Sequence, residues 1–432
     1  MRIARLGRPS PDPSTEEVTM PYGSRLAAMM TRRIGRECVY TPSARLALYL
    51  ALRRWCRPGA RVLMSPVNDD VILFVVLAAG LRPVQAPVSR WDGNIDPAAV
   101  PESTWRDVDA VLTTNLYGMP DRVLELRRRC DELGIPLIED AAHAIGTHVD
   151  GQPIGTFGTA AAFSLSKHVA AMAGGFLVVE DARTRRELEL LRDDLLTPRR
   201  LRDDLSTTLR PLARSAVRTL HLVRPVWRTM QRLRLLERDD FRMALHAPRL
   251  AGSAHHAPSL AAYEPWVRVD LHGFRSRHGA LVRGQLELRM ALLDGDLARR
   301  RAGVSLLSGT TWASPALRGH AGDGPPSLFR VPLLVHNRDA LLERLVDHGV
   351  VAGYVYDPPL DDYAGAEFVE PSPDPTAARW FAAHTLPADP LLARRIAAAL
   401  TKERAAAAHP PLSGTQVPDP GPTTTLPTPL GP

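Results

Sequence analysis

Between residues 44 and 179 short apolar runs alternate with stretches of helical periodicity, and this alternation restricts the fold more than any other feature of the chain. ARLALYLALRRWC reads as a helix stopped by Pro58-Gly59, RVLMSPV as a buried strand, and VILFVVLAAGL as a helix closed by Gly80. RPVQAPV and DAVLTTN read as strands. RVLELRRRCDELG is an amphipathic helix with a glycine stop before the strand IPLIED, and TAAAFSL and GGFLVV continue the series. Strands separated by helices need crossover connections, so the pattern predicts parallel βαβ units. The expected fold class is α/β: a large domain with a mostly parallel central sheet flanked by helices, followed by a smaller C-terminal α/β domain.

The 432 residues suit such a pair of domains. Residues 1–22, rich in Pro, Ser and Arg, read as a disordered arm, 23–274 as the large domain, 275–408 as the small domain, and the Pro/Thr/Gly-rich 409–432 as a disordered tail. The small domain opens with a long helical pattern (RHGALVRGQLELRMALLDGDLARRRAGVSLL). Short strands and helices follow it, among them SLFRVPLLV, ALLERLVDHG, VVAGYVY and RRIAAALTKERA. No apolar stretch reaches the roughly 18 residues of a membrane span, and MRIARLGRPSPDPSTEE lacks the apolar centre of a secretory signal. A cytoplasmic location is expected. Cys38, Cys56 and Cys130 are odd in number and widely spaced, so neither a disulfide framework nor a metal site is expected.

The cationic residues divide unevenly. Lys and Arg total 54, yet only Lys167 and Lys402 are lysines. Where arginine serves almost everywhere a cation is enough, a lysine inside the apolar stretch AAFSLSKHVAAMAGGFLVV needs a chemical reason. Arginine keeps its proton at ordinary pH, whereas a desolvated lysine can lose its proton and attack an aldehyde. Lys402, at the polar end of the last helix, reads as a solvated charge. Residues 199–238 carry eleven arginines against three acids, and a basic helical insertion is expected over about 199–240. It reads as a solvated face packed on the domain or as a peripheral contact with an anionic membrane; nucleic acid is not an expected partner, for want of a recognition motif.

Pyridoxal 5'-phosphate demands an amine for its aldehyde, an acid beside its ring nitrogen, a partner for its phenolic oxygen and a phosphate cradle. The sequence offers a candidate for each. Asp140 ends IPLIED, so a strand delivers its carboxylate to the carboxyl edge of the sheet, where ligands of open α/β folds bind. His143, three residues on, is in reach of the phenolic oxygen. Ser164 lies three residues before Lys167 in FSLSK, placed for the phosphate. Ser43, Ala44 and Arg45 open a helix whose free N–H groups suit a phosphate, although an ordinary N-cap explains Ser43 as well.

The run IEDAAHAIGTHVDGQPIGTFGTAAAFSLSKHVAAMAGGFLVV resembles the cofactor-binding core of the DegT/DnrJ/EryC1/StrS family, the sugar aminotransferases of pyridoxal-phosphate fold type I. The similarity extends through SARLALYLAL, ARVLMSPV, NLYGMP and, near the C-terminus, VVAGYVYDPPL and HTLPADPLL. It implies that Lys167 and Asp140 are catalytic: Asp140 pairs with the ring nitrogen and Lys167 holds the cofactor covalently. His143 and Ser164 then meet the phenolic oxygen and the phosphate. It also implies a homodimer that transfers an amino group, from glutamate, to a keto sugar carried on a nucleotide, in amino-sugar, polysaccharide or glycosylated-metabolite biosynthesis. The chain differs from most members in its serine-to-lysine spacing, in Ala44-Arg45, in Asp70, and in the basic insertion. These differences motivate an alternative: a degenerate member without turnover that serves as a membrane-associated scaffold or regulator.

Overall fold

The computed structural model describes residues 21–169, 171, 173–199, 204–205, 207–209, 242–255, 258–268, 273–320 and 324–410. The expected disorder at both termini and the expected basic helical insertion fall almost wholly outside the described residues.

Seven strands form the main sheet: β1 Glu37–Thr41, β2 Arg61–Met64, β3 Arg82–Gln85, β4 Ala110–Thr113, β5 Leu137–Asp140, β6 Ala160–Ser164 and β7 Gly175–Val179, in the order β1-β7-β6-β5-β4-β2-β3. Strands β3, β2, β4, β5 and β6 pair in parallel, and β7 runs antiparallel to both neighbours. The sheet is therefore mostly parallel, as the alternation predicts. Its carboxyl edge gathers the ends of β1, β2, β4, β5 and β6 with the start of β7, where Gly175 sits between Thr41 and Ser164. β1 was not anticipated, because ECVYT is short, begins with an acid, and acquires its strand character from pairing with β7.

Both faces of the sheet are covered. In β7 the alternating side chains divide as period-two geometry requires: Leu177 and Val179 join the core beneath α2 (Ala44–Trp55) and α3 (Asp70–Ala78), while Phe176 and Val178 join the opposite core with α1 (Ser24–Ile34). Burial on both sides explains why these strands read as continuous apolar runs. The helix α4 (Val123–Leu133) ends at Gly134, whose φ of 66° is the left-handed turn a helix C-terminus uses. The remaining elements that matter to the site are α5 (Leu165–His168), α6 (Ala182–Leu195), α7 (Ala280–Ala291) and α8 (Leu293–Ser308). A third core joins α8 to the antiparallel pair β8 (Val331–Leu334) and β9 (Thr385–Ala388) and to the helices α9 (Arg338–Asp347) and α10 (Ala393–Lys402). Residues 350–356 form neither strand nor helix, contrary to the reading of VVAGYVY as regular structure. Tyr354 has φ of 67°, which a strand does not accommodate.

Close approach fixes where α2 begins. A Cβ on Gly175 would lie 2.6 Å from the Ala44 nitrogen and 2.7 Å from the Phe163 carbonyl oxygen, so only glycine lets the first turn of α2 rest against the sheet edge. Ser43 caps that helix, its hydroxyl accepting from the Leu46 N–H at 3.3 Å.

Candidate active site

Lys167 stands on the single turn of α5, just past the end of β6. Its carbonyl accepts a hydrogen bond from Arg300 of α8 at 3.4 Å, and the same guanidinium bonds the Phe329 carbonyl at 3.1 Å. The lysine turn is thus tied directly to the segment that enters β8. The side chain is half-buried, with Nζ 4.0 Å from the centre of the Tyr354 ring and 5.6 Å from that of Phe329. Lys402 is exposed, as expected of a solvated charge.

Asp140 closes β5, two strands' width from β7 on the same edge. Its carboxylate accepts from the Ala142 N–H at 3.0 Å, yet burial pushes the carboxyl up to about 7, and Lys167 only partly offsets this. A buried acid held this high lacks a full positive partner.

His143 is buried. Burial and the nearby Lys167, His168 and Arg330 hold its pKa well below the usual range, while Asp69 opposes them. It is therefore neutral. Its Nδ1 accepts from the Tyr117 N–H at 3.3 Å, so its proton resides on Nε2. The imidazole stacks on Phe329, the centroids 4.9 Å apart and the planes inclined by 22°.

The NLYG turn after β4 brings this about. Asn115 and Tyr117 have φ of 45° and 59°, and the Asn115 amide donates to the Asp140 carbonyl at 3.4 Å. A Cβ on Gly118 would lie 2.5 Å from the His143 carbonyl oxygen, so the turn closes onto the EDAAHA segment more tightly than any other residue permits.

Ser164 is buried at the end of β6, its hydroxyl 2.8 Å from that of Ser166. Ser43, Ala44 and Arg45 lie across Gly175 from it. The Ser43 hydroxyl donates to the Phe274 carbonyl at 2.7 Å, and the Arg45 guanidinium donates to the Val267 carbonyl at 2.7 Å and lies near the Phe274 ring. What this corner offers an anion is thus the first turn of α2 and the two serines of FSLSK, more than the side chains of Ser43 and Arg45. Asp70 is fully buried and accepts from the Met243 N–H at 2.8 Å. Its neighbour Asp69 caps α3 and acts electrostatically on Asp140, His143 and Tyr354.

Sequence reasoning did not single out Tyr117, Arg300, Phe329, Arg330 or Tyr354. NLYG carries a local signal, a turn dipeptide at a strand end. The others come from far along the chain and carry none.

These residues fit pyridoxal phosphate. An amine stands beside a buried carboxyl whose raised pKa is what a protonated ring nitrogen would relieve. A neutral imidazole stands at the same edge, and the start of a helix lies beside two serines, brought against the sheet edge by Gly175.

Fold and site together have the features a pyridoxal-phosphate enzyme requires, with a lysine at the carboxyl edge of a seven-stranded sheet. Residues 22–203 match the model of the DegT/DnrJ/EryC1/StrS aminotransferase family. That span, rather less than half of the chain, holds Asp140, His143, Ser164 and Lys167 and is similar to this family of aminotransferases. Among solved structures it is similar to Helicobacter pylori PseC, an aminotransferase involved in the biosynthesis of pseudoaminic acid. The two share 17% identity over 90% of this chain and 92% of that one, with a TM-score of 0.60. DesV of S. venezuelae is 22% identical over 89% of each chain, with a TM-score of 0.62. DesI, determined in the presence of its TDP-sugar product, is 21% identical over 87% of this chain and 83% of that one, with a TM-score of 0.59. At these identities the likeness establishes the shared fold.

Proposed function

We propose that the chain transfers an amino group from an amino-acid donor, glutamate, to a keto sugar linked to a nucleotide, as a step in the synthesis of an amino sugar for a polysaccharide or a glycosylated metabolite. The observation that carries this reading is the convergence of Lys167, Asp140 and His143 at one sheet edge inside the span that matches the family. The sugar-processing neighbours PseC and DesI support the substrate class.

In this reading Lys167 binds the cofactor through its amine. Asp140 would pair with the ring nitrogen and favour its protonated form; His143, neutral, would orient the ring; Ser164 and the first turn of α2 would hold the phosphate. The cofactor, when bound, supplies the electron sink that lets an amino acid lose its α-proton. The Lys167 Nζ, when not engaged with the cofactor, would take that proton and return it as general base and acid. The aromatic residues Tyr117, Phe329 and Tyr354 keep water from it.

We further read the division near residue 274, the homodimer and the cytoplasmic location as properties of this chain. The dimer reading is supported by Leu281, Leu288 and Leu292, exposed at heptad spacing along α7 and its end. No helix among the described residues is long and apolar enough to cross a membrane. Peripheral contact of 199–238 with an anionic membrane is a reading of composition. Sedimentation with anionic liposomes should then remove the protein at low salt and release it at high salt, and no binding at low salt would leave the segment a solvated face.

The function is tested on protein loaded with pyridoxal phosphate. Glutamate should bleach its yellow absorption and yield 2-oxoglutarate, and a nucleotide-linked keto sugar should restore the colour. A yellow protein that no amino donor bleaches would favour the degenerate scaffold.

A further inference from the structure

Tyr354 is an unusual residue in an unusual place. It follows Gly353, yet it is the tyrosine that adopts the left-handed backbone, with φ of 67°, a conformation that L side chains rarely adopt. Something must hold it there. The Tyr117 hydroxyl donates to the Tyr354 carbonyl at 2.7 Å, and the Tyr354 ring packs edge-on against Phe329, centroids 4.8 Å apart at 78°. The result of this bracing is the position of one side chain: the ring lies 4.0 Å from Lys167 Nζ. A tyrosine needed only for packing does not require a strained backbone braced by a second tyrosine.

The groups that face the phenol come from every element around it. Lys167 reaches it from α5 and Arg330 from the entry to β8, its guanidinium 5.0 Å from the ring centre; Asp69 acts from the start of α3, and the neutral His143 meets it edge-on at 6.2 Å. Lys167 is the strongest influence on the hydroxyl and draws its pKa below the usual phenol range; burial and Asp69 oppose this, and Arg330 reinforces it. The phenol is thus easier to ionise than a free tyrosine, and it stands beside an amine that must alternately carry and surrender a proton.

We propose that Tyr354 is a second catalytic residue: its ring holds the Lys167 amine whenever that amine is free of the cofactor, and its phenol oxygen exchanges a proton with Nζ. In the exchange an N–H bond of the Lys167 ammonium breaks as an O–H bond forms on Tyr354, and the reverse transfer restores both. No proton is consumed and no further reactant is needed. The proposal rests on the reading of Lys167 as the cofactor's amine, but its central test requires neither donor nor sugar.

That test uses the two-lysine composition of the chain. Cofactor-free wild type and Tyr354→Phe are labelled with trace acetic anhydride across a pH series. Acylation of Lys167 is read by mass spectrometry against the exposed Lys402 as internal standard. Tyr354→Phe keeps the ring and removes the oxygen. It should fold, take up the cofactor and turn yellow, yet shift the pH profile of Lys167 labelling and slow the glutamate half-reaction about 100-fold, the size of a lost proton-transfer group, with donor KM unchanged. A labelling profile and half-reaction within twofold of wild type would overturn the proposal. If Tyr354→Leu were then defective, only the ring would matter. Should Tyr354→Phe not fold, 3,5-difluorotyrosine at 354 preserves shape and hydroxyl while making the phenol more acidic. A Lys167 profile moved by the fluorines supports the exchange, and an unmoved one refutes it.

Discussion

Lys167→Ala, purified with pyridoxal phosphate, is expected to be colourless, to carry no borohydride-fixed cofactor, and to have lost amino-transfer activity by at least about 10²- to 10⁴-fold, the span of a missing general acid–base residue alone. Its stability should change little. Lys167 is half-buried on a short turn, and what ties that turn to α8 is its backbone carbonyl, which alanine retains. The informative companion is Lys167→Arg. Arginine supplies the cation at nearly every other position in this chain, but it neither gives up its proton nor attacks an aldehyde. It should therefore be as inactive as alanine. Cofactor absorption and half-reaction rates of the two variants check this, and a yellow Lys167→Ala would remove the basis for the site.

Asp140→Asn should do two opposite things. In the cofactor-free protein the carboxyl titrates at about 7 against an ordinary 3.8, because burial outweighs the Ala142 N–H and the charge of Lys167. Between those two values the folded protein keeps a proton that the unfolded chain releases. Stability therefore falls as pH rises through that window and stays lower above it. Asparagine has the same shape and no charge to bury. Chemical denaturation of cofactor-free protein at pH 8 should find the variant more stable by about 2–4 kcal/mol, taking about 1.4 kcal/mol per pH unit, with the advantage vanishing near pH 4. Loading should reverse the order. On the proposed role of Asp140, wild type alone can form an ion pair with the ring nitrogen, so pyridoxal phosphate should raise its melting temperature more than it raises that of the variant, and only wild type should retain a rapid glutamate half-reaction. A variant no more stable than wild type at pH 8 would show that the carboxyl is solvated, and a variant with full activity would show that it does not face the ring.

How much of this was legible in the sequence depends on distance along the chain. IPLIED ends where its strand ends, at Asp140, and TAAAFSL runs one residue past its strand end at Ser164, because a buried strand is an apolar run that stops near a polar residue. That alone brings Asp140, Ser164 and Lys167 to one edge. Their chemistry was legible for a separate reason: lysine is so rare here that one in an apolar stretch stands out. The reading of VVAGYVY as regular structure failed because local propensity contains no term for the Tyr117 hydroxyl, 237 positions away, which pins the Tyr354 carbonyl. The Arg45 guanidinium likewise follows the Val267 carbonyl, 222 positions on, into the helix packing.

Sequence by itself therefore determined the βαβ architecture, the lysine, and the acid at the end of the preceding strand, since each is written in local periodicity and composition. The tertiary structure alone decided what surrounds them. Burial raises Asp140 and keeps His143 neutral, Arg300 ties the lysine turn to α8 and the entry to β8, and a strained tyrosine is set against Nζ. Those are effects of desolvation and of contacts between residues far apart in the chain, and neither exists until the chain has folded.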